Sequence, residues 1–313
     1  MRISVRRILV YLVNVVIAFS FGIGVNIWFN YGTPFIRGFY CNDESINHPY
    51  HDSTVPSLDG VIVVFASIIV VVACGEILEK IIVRGADGET GIHPNFNWHR
   101  GDVWKQIVFD SVCLILVGVY GAGITMFITD VGKYTVGRLR PHFLDVCKPD
   151  WSRINCTNSR GQYNYIVGDQ FCTTATDNSR KLKEARLSFP SGHSSFSMFG
   201  ATYIVLYMQH RILTDKWASL GKLFIQIIPV CGAFYTGCSR VSDYKHHAGD
   251  VVAGFAIGVL VALVLYVVVL RRFYTPQGKQ PCQTLTGSMV PYNQESDLEN
   301  NGAGTVTTEN VGT

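Results

Sequence analysis

Ser239-Arg240-Val241-Ser242-Asp243-Tyr244-Lys245-His246-His247-Ala248-Gly249-Asp250 runs directly into Val251–Leu270, an uncharged apolar run that stops at Arg271 and Arg272. A helix needs about 20 predominantly apolar residues to cross a bilayer, so the run reads as a membrane span and the polar stretch as its end at the water interface. If the end of that stretch is helical like the run it leads into, His246 and Asp250 share one face, with about 5–6 Å between Cβ atoms. A carboxylate on one ring nitrogen fixes the tautomer and leaves the other lone pair aimed outward, as a nucleophile or general base requires. His247 stands three residues from Asp250, so spacing alone does not choose between the two histidines. Arg240 adds a planar, permanently charged fork suited to phosphate oxygens. The plainer reading of the same residues is a cap, because lipid drives charge to span ends.

Composition supports the membrane reading. Of 313 residues, 48% are hydrophobic and only 16% charged, against about 25% charged in soluble proteins. The mean hydropathy is +0.22. A formal net charge of +3 and the lack of a basic run interleaved with aromatics argue against a nucleic-acid partner.

Taken in order, the apolar runs are Ile8–Phe29, Leu58–Ile82, Ile107–Ile128, a short one from His193 fading by Met208, Leu223–Cys238, and Val251–Leu270. The first follows Arg2, Arg6 and Arg7, lacks a small-residue cleavage site and is too long for a signal peptide, so it reads as a retained span. The expectation is an all-α polytopic membrane protein with six transmembrane helices. Residues 1–7 form a cytoplasmic N-terminus, 8–272 the six-span domain and 273–313 a disordered cytoplasmic tail rich in Asn, Gly, Thr, Gln and Glu. Gly254 and Gly258 have the spacing that lets helices approach closely.

The basic residues near the span ends set the orientation by the positive-inside rule. Arg2, Arg6, Arg7, Arg84, Arg100, Lys105, Arg211, Lys216, Lys222, Arg271 and Arg272 fall on one side, which is then cytoplasmic. The polar segment Lys133–Pro190 is placed on the lumenal or extracellular side. It contains Asn155-Cys156-Thr157, an N-glycosylation sequon with Asn155 as acceptor. Cys41, Cys147, Cys156 and Cys172 share that oxidising side and allow three disulfide pairings, or four free thiols. No cysteine spacing suggests zinc.

That topology brings three polar stretches to one membrane face: Lys133–Pro141, Pro190–His193 and Arg240–Asp250. Lys133 and Arg140 are seven residues apart, two helical turns, so both cations can face one pocket. A snorkelling basic collar is the alternative. Pro190-Ser191-Gly192-His193 stands where a helix should begin, with Ser191 as N-cap and free backbone N–H groups suited to an anion. A plain helix start would look the same.

On these residues the chain resembles the type 2 phosphatidic acid phosphatase superfamily. Lys133 with Arg140-Pro141, Pro190-Ser191-Gly192-His193, and Ser239-Arg240 with His246 and Asp250 match its three-part signature in order and spacing. Arg37–Ile46 (RGFYCNDESI) and Gly137–Phe143 (GRLRPHF) look like the animal lipid phosphate phosphatases. Ala248-Gly249 departs from the bulkier or hydroxylic residues expected there. The resemblance implies a lipid phosphate phosphohydrolase acting at the outer or lumenal leaflet on phosphatidate, lysophosphatidate, sphingosine 1-phosphate and ceramide 1-phosphate. It makes His246 the nucleophile of a phosphohistidine intermediate, Asp250 its orienting group and His193 the acid and then the base. Lys133, Arg140, Arg240 and the amides near Ser191 and Gly192 would hold the phosphoryl oxygens.

No cofactor and no metal are expected: the only signature carboxylate, Asp250, serves the nucleophile. Asp130 and Asp243 are the alternative, a metal pair. Expected partners are the substrates and membrane lipids, and a homo-oligomer stays open. The plasma membrane is the expected location, with the endoplasmic reticulum or Golgi as alternatives. A non-catalytic lipid-phosphate-binding or scaffold relative would lose signature residues, and this chain retains them. A transporter would carry charges or broken helices near mid-membrane, whereas here the charges sit at span ends.

Overall fold

The computed structural model describes residues 31–86, 101–174, 179–211 and 218–270, with residues 20 and 24. The expected first span at 8–29, those two residues aside, and the tail from 273 lie outside the described residues. Among the described residues, four helices are long and apolar enough to cross a membrane, over Ser57–Leu78, Ile107–Val136, Leu220–Ser242 and Ala248–Val269. They belong to α1 (Ser57–Ala86), α2 (Gly101–Val136), α6 (Ala218–Ser242) and α7 (Ala248–Leu265, continued by a π-helical turn). Between α2 and α6 come the short helices α3 (Phe143–Cys147) and α4 (Ser179–Glu184), then α5 (Gly192–Arg211).

The run expected to be the fourth span is α5, and it is not among the four apolar helices. The reason is its position, packed against α1, α2, α6 and α7. A helix whose faces meet protein rather than lipid can carry polar groups that find partners. Tyr203 Oη donates to the Leu114 carbonyl at 2.6 Å, and Ser195 and Thr129 hydroxyls bond at 2.8 Å. Gly254 and Gly258 let α7 close on α5. A Cβ on Gly254 would stand 2.6 Å from the Ser191 carbonyl, and one on Gly258 would overlap that of Ser195.

At the other end of α5, Arg211 reaches Glu76 of α1 with two bonds, Nε–Oε1 at 2.9 Å and Nη2–Oε2 at 2.7 Å. Glu76 is fully buried and also accepts from Tyr207 Oη at 3.1 Å. Removing one partner of a buried pair strands the other charge, at about 3–5 kcal/mol. Arg211→Ala is therefore expected to lower the melting temperature in detergent sharply, and Arg211→Lys less so; a melting curve unchanged by Arg211→Ala would show that the pair is not holding α1 to α5.

Above the helices, residues 31–56, 137–174 and 179–190 fold together as a cap. Strands β1 (Phe39–Tyr40) and β2 (Tyr165–Ile166) pair antiparallel, with Phe39 opposite Ile166. A small core of Phe39, Ile46, Leu139, Phe143 and Leu144 lies beneath. Buried Arg186 lies over the Phe143 ring at 4.8 Å, donates to the Arg37 carbonyl and pairs with Asp169. Of the three pairings open from sequence, the structure forms Cys41–Cys156 and Cys147–Cys172. The first links the segment before α1 to the one after α2. Asn155 is exposed beside it.

Candidate active site

Each polar stretch reaches the cavity because a helix stops in time. Helix α2 carries Lys133 in its last turn, then breaks at Gly137, whose φ of 56° glycine tolerates and other residues resist. The two-turn helical relation expected of Lys133 and Arg140 is therefore not realised, and Arg140 comes from the turn beyond, fixed by its N–H on the Ala185 carbonyl at 2.8 Å. Both still line one cavity of about 1000 Å³, with Gly192, His193, Arg240 and His246.

The helical relation expected of His246 and Asp250 is not realised either. Helix α6 ends at Ser242, Tyr244 adopts a positive φ of 54°, and α7 begins only at Ala248, with His247 as N-cap. The N–H groups of Lys245 and His246 both donate to the Arg240 carbonyl, at 3.0 and 3.1 Å, wrapping the loop around that residue. His246 Nδ1 lies 2.6 Å from the Ser188 carbonyl but 3.9 Å from Asp250 Oδ2. The carbonyl, an obligate acceptor, fixes the Nδ1–H tautomer and leaves Nε2 with a lone pair. Burial, then the charge of Arg140, holds the His246 pKa well below its usual value, so the ring is neutral.

Asp250 is fully buried and ties the stretches together. Its Oδ2 accepts from Ser188 Oγ at 2.6 Å and the His247 N–H at 3.0 Å, with His247 Nδ1 at 3.2 Å. Its Oδ1 accepts from Arg138 at 2.7 Å. Ser191 is buried too; its N–H donates to the Asp250 carbonyl at 3.0 Å and its hydroxyl accepts from Ser194 at 2.9 Å. Its amide is thus not free for an anion as expected, which leaves those of Gly192 and His193 at the start of α5, where N–H groups have no partner within the helix. His193 Nε2 stands 3.4 Å from Ser57 Oγ.

The cations are unequally compensated. Lys133 bonds Asp130 at 2.9 Å, and Arg240 bonds Asp243 at 2.9 Å. Asp243 also accepts from the Thr54 N–H and hydroxyl, at 2.8 and 2.6 Å. The carboxylates weighed as a metal pair thus each hold a cation of the cavity. Arg140 Nε is buried without a hydrogen-bond partner, and burial lowers the Arg140 pKa from its usual value. A guanidinium with a buried, unpartnered Nε in a cavity with other cations is chemically suited to an anion. His142 is held neutral, its pKa pushed down to about 4 chiefly by burial, while Nδ1 donates to the Tyr244 carbonyl at 2.7 Å.

Sequence reasoning missed Ser188, Arg138 and Lys245. Arg138 lies inside GRLRPHF and Lys245 inside the opening stretch, so charge within a quoted motif was the available signal; Ser188 acts partly through its carbonyl, which no residue type announces.

Apolar helices long enough to cross a membrane, with a cavity that gathers cations and histidines, define a helical membrane protein. The model of the PAP2 superfamily matches residues 112–274, and the chain belongs to that family. Phospholipid phosphatase 1 of Rattus norvegicus is 37% identical over 252 residues, 79% of this chain and 80% of that protein. The Mus musculus protein of the same name is 39% identical over 235 residues, 74% of this chain and 75% of its own length. Phospholipid phosphatase 2 of Homo sapiens is 37% identical over 253 residues, covering 80% and 78%. No solved structure matches the chain.

Proposed function

We propose that this chain is a lipid phosphate phosphohydrolase that cleaves phosphatidate, lysophosphatidate, sphingosine 1-phosphate and ceramide 1-phosphate at the outer or lumenal leaflet. One observation carries the reading. The cavity that holds His246, His193, Lys133, Arg140 and Arg240 continues among α1, α5 and α6, where Val64, Phe196, Ile204 and Ile228 line it. A phosphate at the cationic end and an acyl chain along the apolar end fit one continuous space.

In the proposed mechanism His246 Nε2 attacks phosphorus as the bond to the lipid oxygen breaks, with Nδ1–H held on the Ser188 carbonyl. His193 gives its proton to the departing alkoxide. Water then attacks the phosphohistidine, His193 takes its proton, and the His246 nitrogen leaves as phosphate is released. Lys133, Arg140, Arg240 and the amides of Gly192 and His193 hold the non-bridging oxygens, whose charge shifts in the transition state. Asp250 secures Ser188 and His247 rather than touching the reacting atoms.

Fixed cations do here what Mg²⁺ does elsewhere, and Asp130 and Asp243, bonded to Lys133 and Arg240, support a metal-independent reaction. Hydrolysis of a panel of detergent-dispersed lipid phosphates should persist in excess EDTA. Activity lost in EDTA and restored by Mg²⁺ would bring the two aspartates forward as ligands.

The six-span topology with cytosolic termini, plasma-membrane residence and glycosylation at exposed Asn155 belong to the same reading. Glycosidase should increase gel mobility, and Asn155→Gln should abolish the change. Labelling of an epitope-tagged C-terminus from outside intact cells would reverse the orientation.

A further inference from the structure

Lys245 is a buried cation that this mechanism does not use. It is 5% exposed and lines the same cavity as His246 and Arg140. Its ammonium sits 3.6 Å from the centre of the Tyr50 ring, and among the described residues no carboxylate lies within ion-pair distance of it. Asp243, two residues away, is committed to Arg240 and Thr54. A ring face attracts a cation but accepts none of its three N–H donors in the way an anionic oxygen does. The position is fixed, because the Lys245 N–H donates to the Arg240 carbonyl at 3.0 Å, in the loop that also places His246.

We propose that Lys245 is a fourth cation of the phosphoryl site, donating to a non-bridging oxygen of the bound phosphate alongside Lys133, Arg140 and Arg240. The proposal rests on the phosphoryl-binding reading of the cavity and adds to it a residue outside the signature. It also carries a pH dependence that the arginines lack. Burial first, and then the charge of Arg140, pushes the Lys245 pKa down to about 8. Arg240 acts in the same sense, and Asp52 and Asp243 oppose. Neighbouring His142 is neutral and does not titrate in this range; a second lysine, Lys181, lies farther off, 5.7 Å from the same Tyr50 ring. The ammonium is thus charged below about pH 8 and lost above it. Anion affinity is full below that value and falls as pH rises through it, at somewhat higher pH once the anion is bound.

The test is orthovanadate binding to the full-length protein in detergent, measured by calorimetry at pH 7.0 and 9.5, so that it does not depend on turnover. Lys245→Gln is expected to weaken binding about tenfold or more at pH 7.0, as loss of a charged hydrogen bond does. At pH 9.5 it should come within about threefold of wild type, where that bond is already lost. Lys245→Arg, charged at both pH values, should match wild type at pH 7.0 and exceed it at 9.5; comparing variants at one pH cancels the titration of vanadate itself. Should Lys245→Gln fail to fold, the arginine variant decides alone. Equal binding by wild type and Lys245→Gln at pH 7.0 would overturn the proposal, and so would equal weakening of both variants at both pH values, which is what a purely structural lysine gives. Wild type that binds no vanadate would overturn it too, whereas wild type that binds vanadate but releases no phosphate from lipid would overturn only the reaction.

Discussion

His246→Ala is expected to lower kcat by about 10⁴- to 10⁶-fold, the scale on which loss of a nucleophile is felt when the rest of the site survives. The same substitution should abolish an acid-labile, alkali-stable phosphoenzyme trapped by brief mixing with labelled substrate. His247→Ala should keep the label, because His247 caps α7 and its ring faces Asp250. The neutrality of His246 sharpens the expectation. Its pKa lies well below the usual value through burial and the field of Arg140, so the Nε2 lone pair of the proposed nucleophile is present across the neutral range and the acid limb of kcat/KM should not follow an ordinary histidine. Label retained in His246→Ala and lost in His247→Ala would exchange their roles. The histidines also couple to stability. His142 and His246 are neutral when folded, the first with its pKa pushed down to about 4 and the second held well below its usual value, both chiefly by burial, while an unfolded histidine takes up a proton near 6.5. The unfolded chain therefore binds more protons as pH falls below about 6.5, and stability declines in that direction.

The helices that carry the site were legible as apolar runs because lipid-facing residues must be apolar over a full crossing. Helix α5 was the least legible, since its neighbours, not lipid, cover Ser194, Ser195, Tyr203 and Tyr207. The cations were legible as residue types near span ends, although Arg140 reaches the cavity from a turn rather than along a helix. The relation between His246 and Asp250 was misjudged for a local reason: spacing presumes continuous helix, and Tyr244 reverses the chain before His247 starts a new one. Ser188 and Arg138 were illegible as partners of Asp250 because those contacts are made across 62 and 112 residues of sequence. The disulfide pairing needed the cap's folded geometry, which places Cys41 next to Cys156 across a separation of 115.

Asp250→Asn is expected to lower kcat by about 10²-fold or more with little change in KM. The asparagine keeps the shape but has one acceptor oxygen and one NH₂ where the site supplies donors on both sides. With NH₂ toward Ser188 and His247 it faces two N–H or O–H donors; turned the other way it faces Arg138. The first orientation leaves a donor on the buried Ser188 side without an acceptor, the second leaves partly exposed Arg138 without one, and both remove the charge opposite Arg138. Ser188 then shifts, and with it the carbonyl that holds His246 Nδ1 at 2.6 Å; misplacement of a reacting group by about 1 Å costs about 10²-fold. KM is spared because Lys133, Arg140 and Arg240 make no hydrogen bond to Asp250. Ser188→Ala separates this indirect action from a direct one. It keeps the carbonyl but removes the hydroxyl through which Asp250 holds it, so kcat should fall about tenfold or more, the scale of losing a hydrogen bond to a charged group. If Asp250 instead acted on His246 across their 3.9 Å separation, the alanine would leave that pair intact, and a Ser188→Ala enzyme at wild-type kcat would return the orienting role to Asp250 itself.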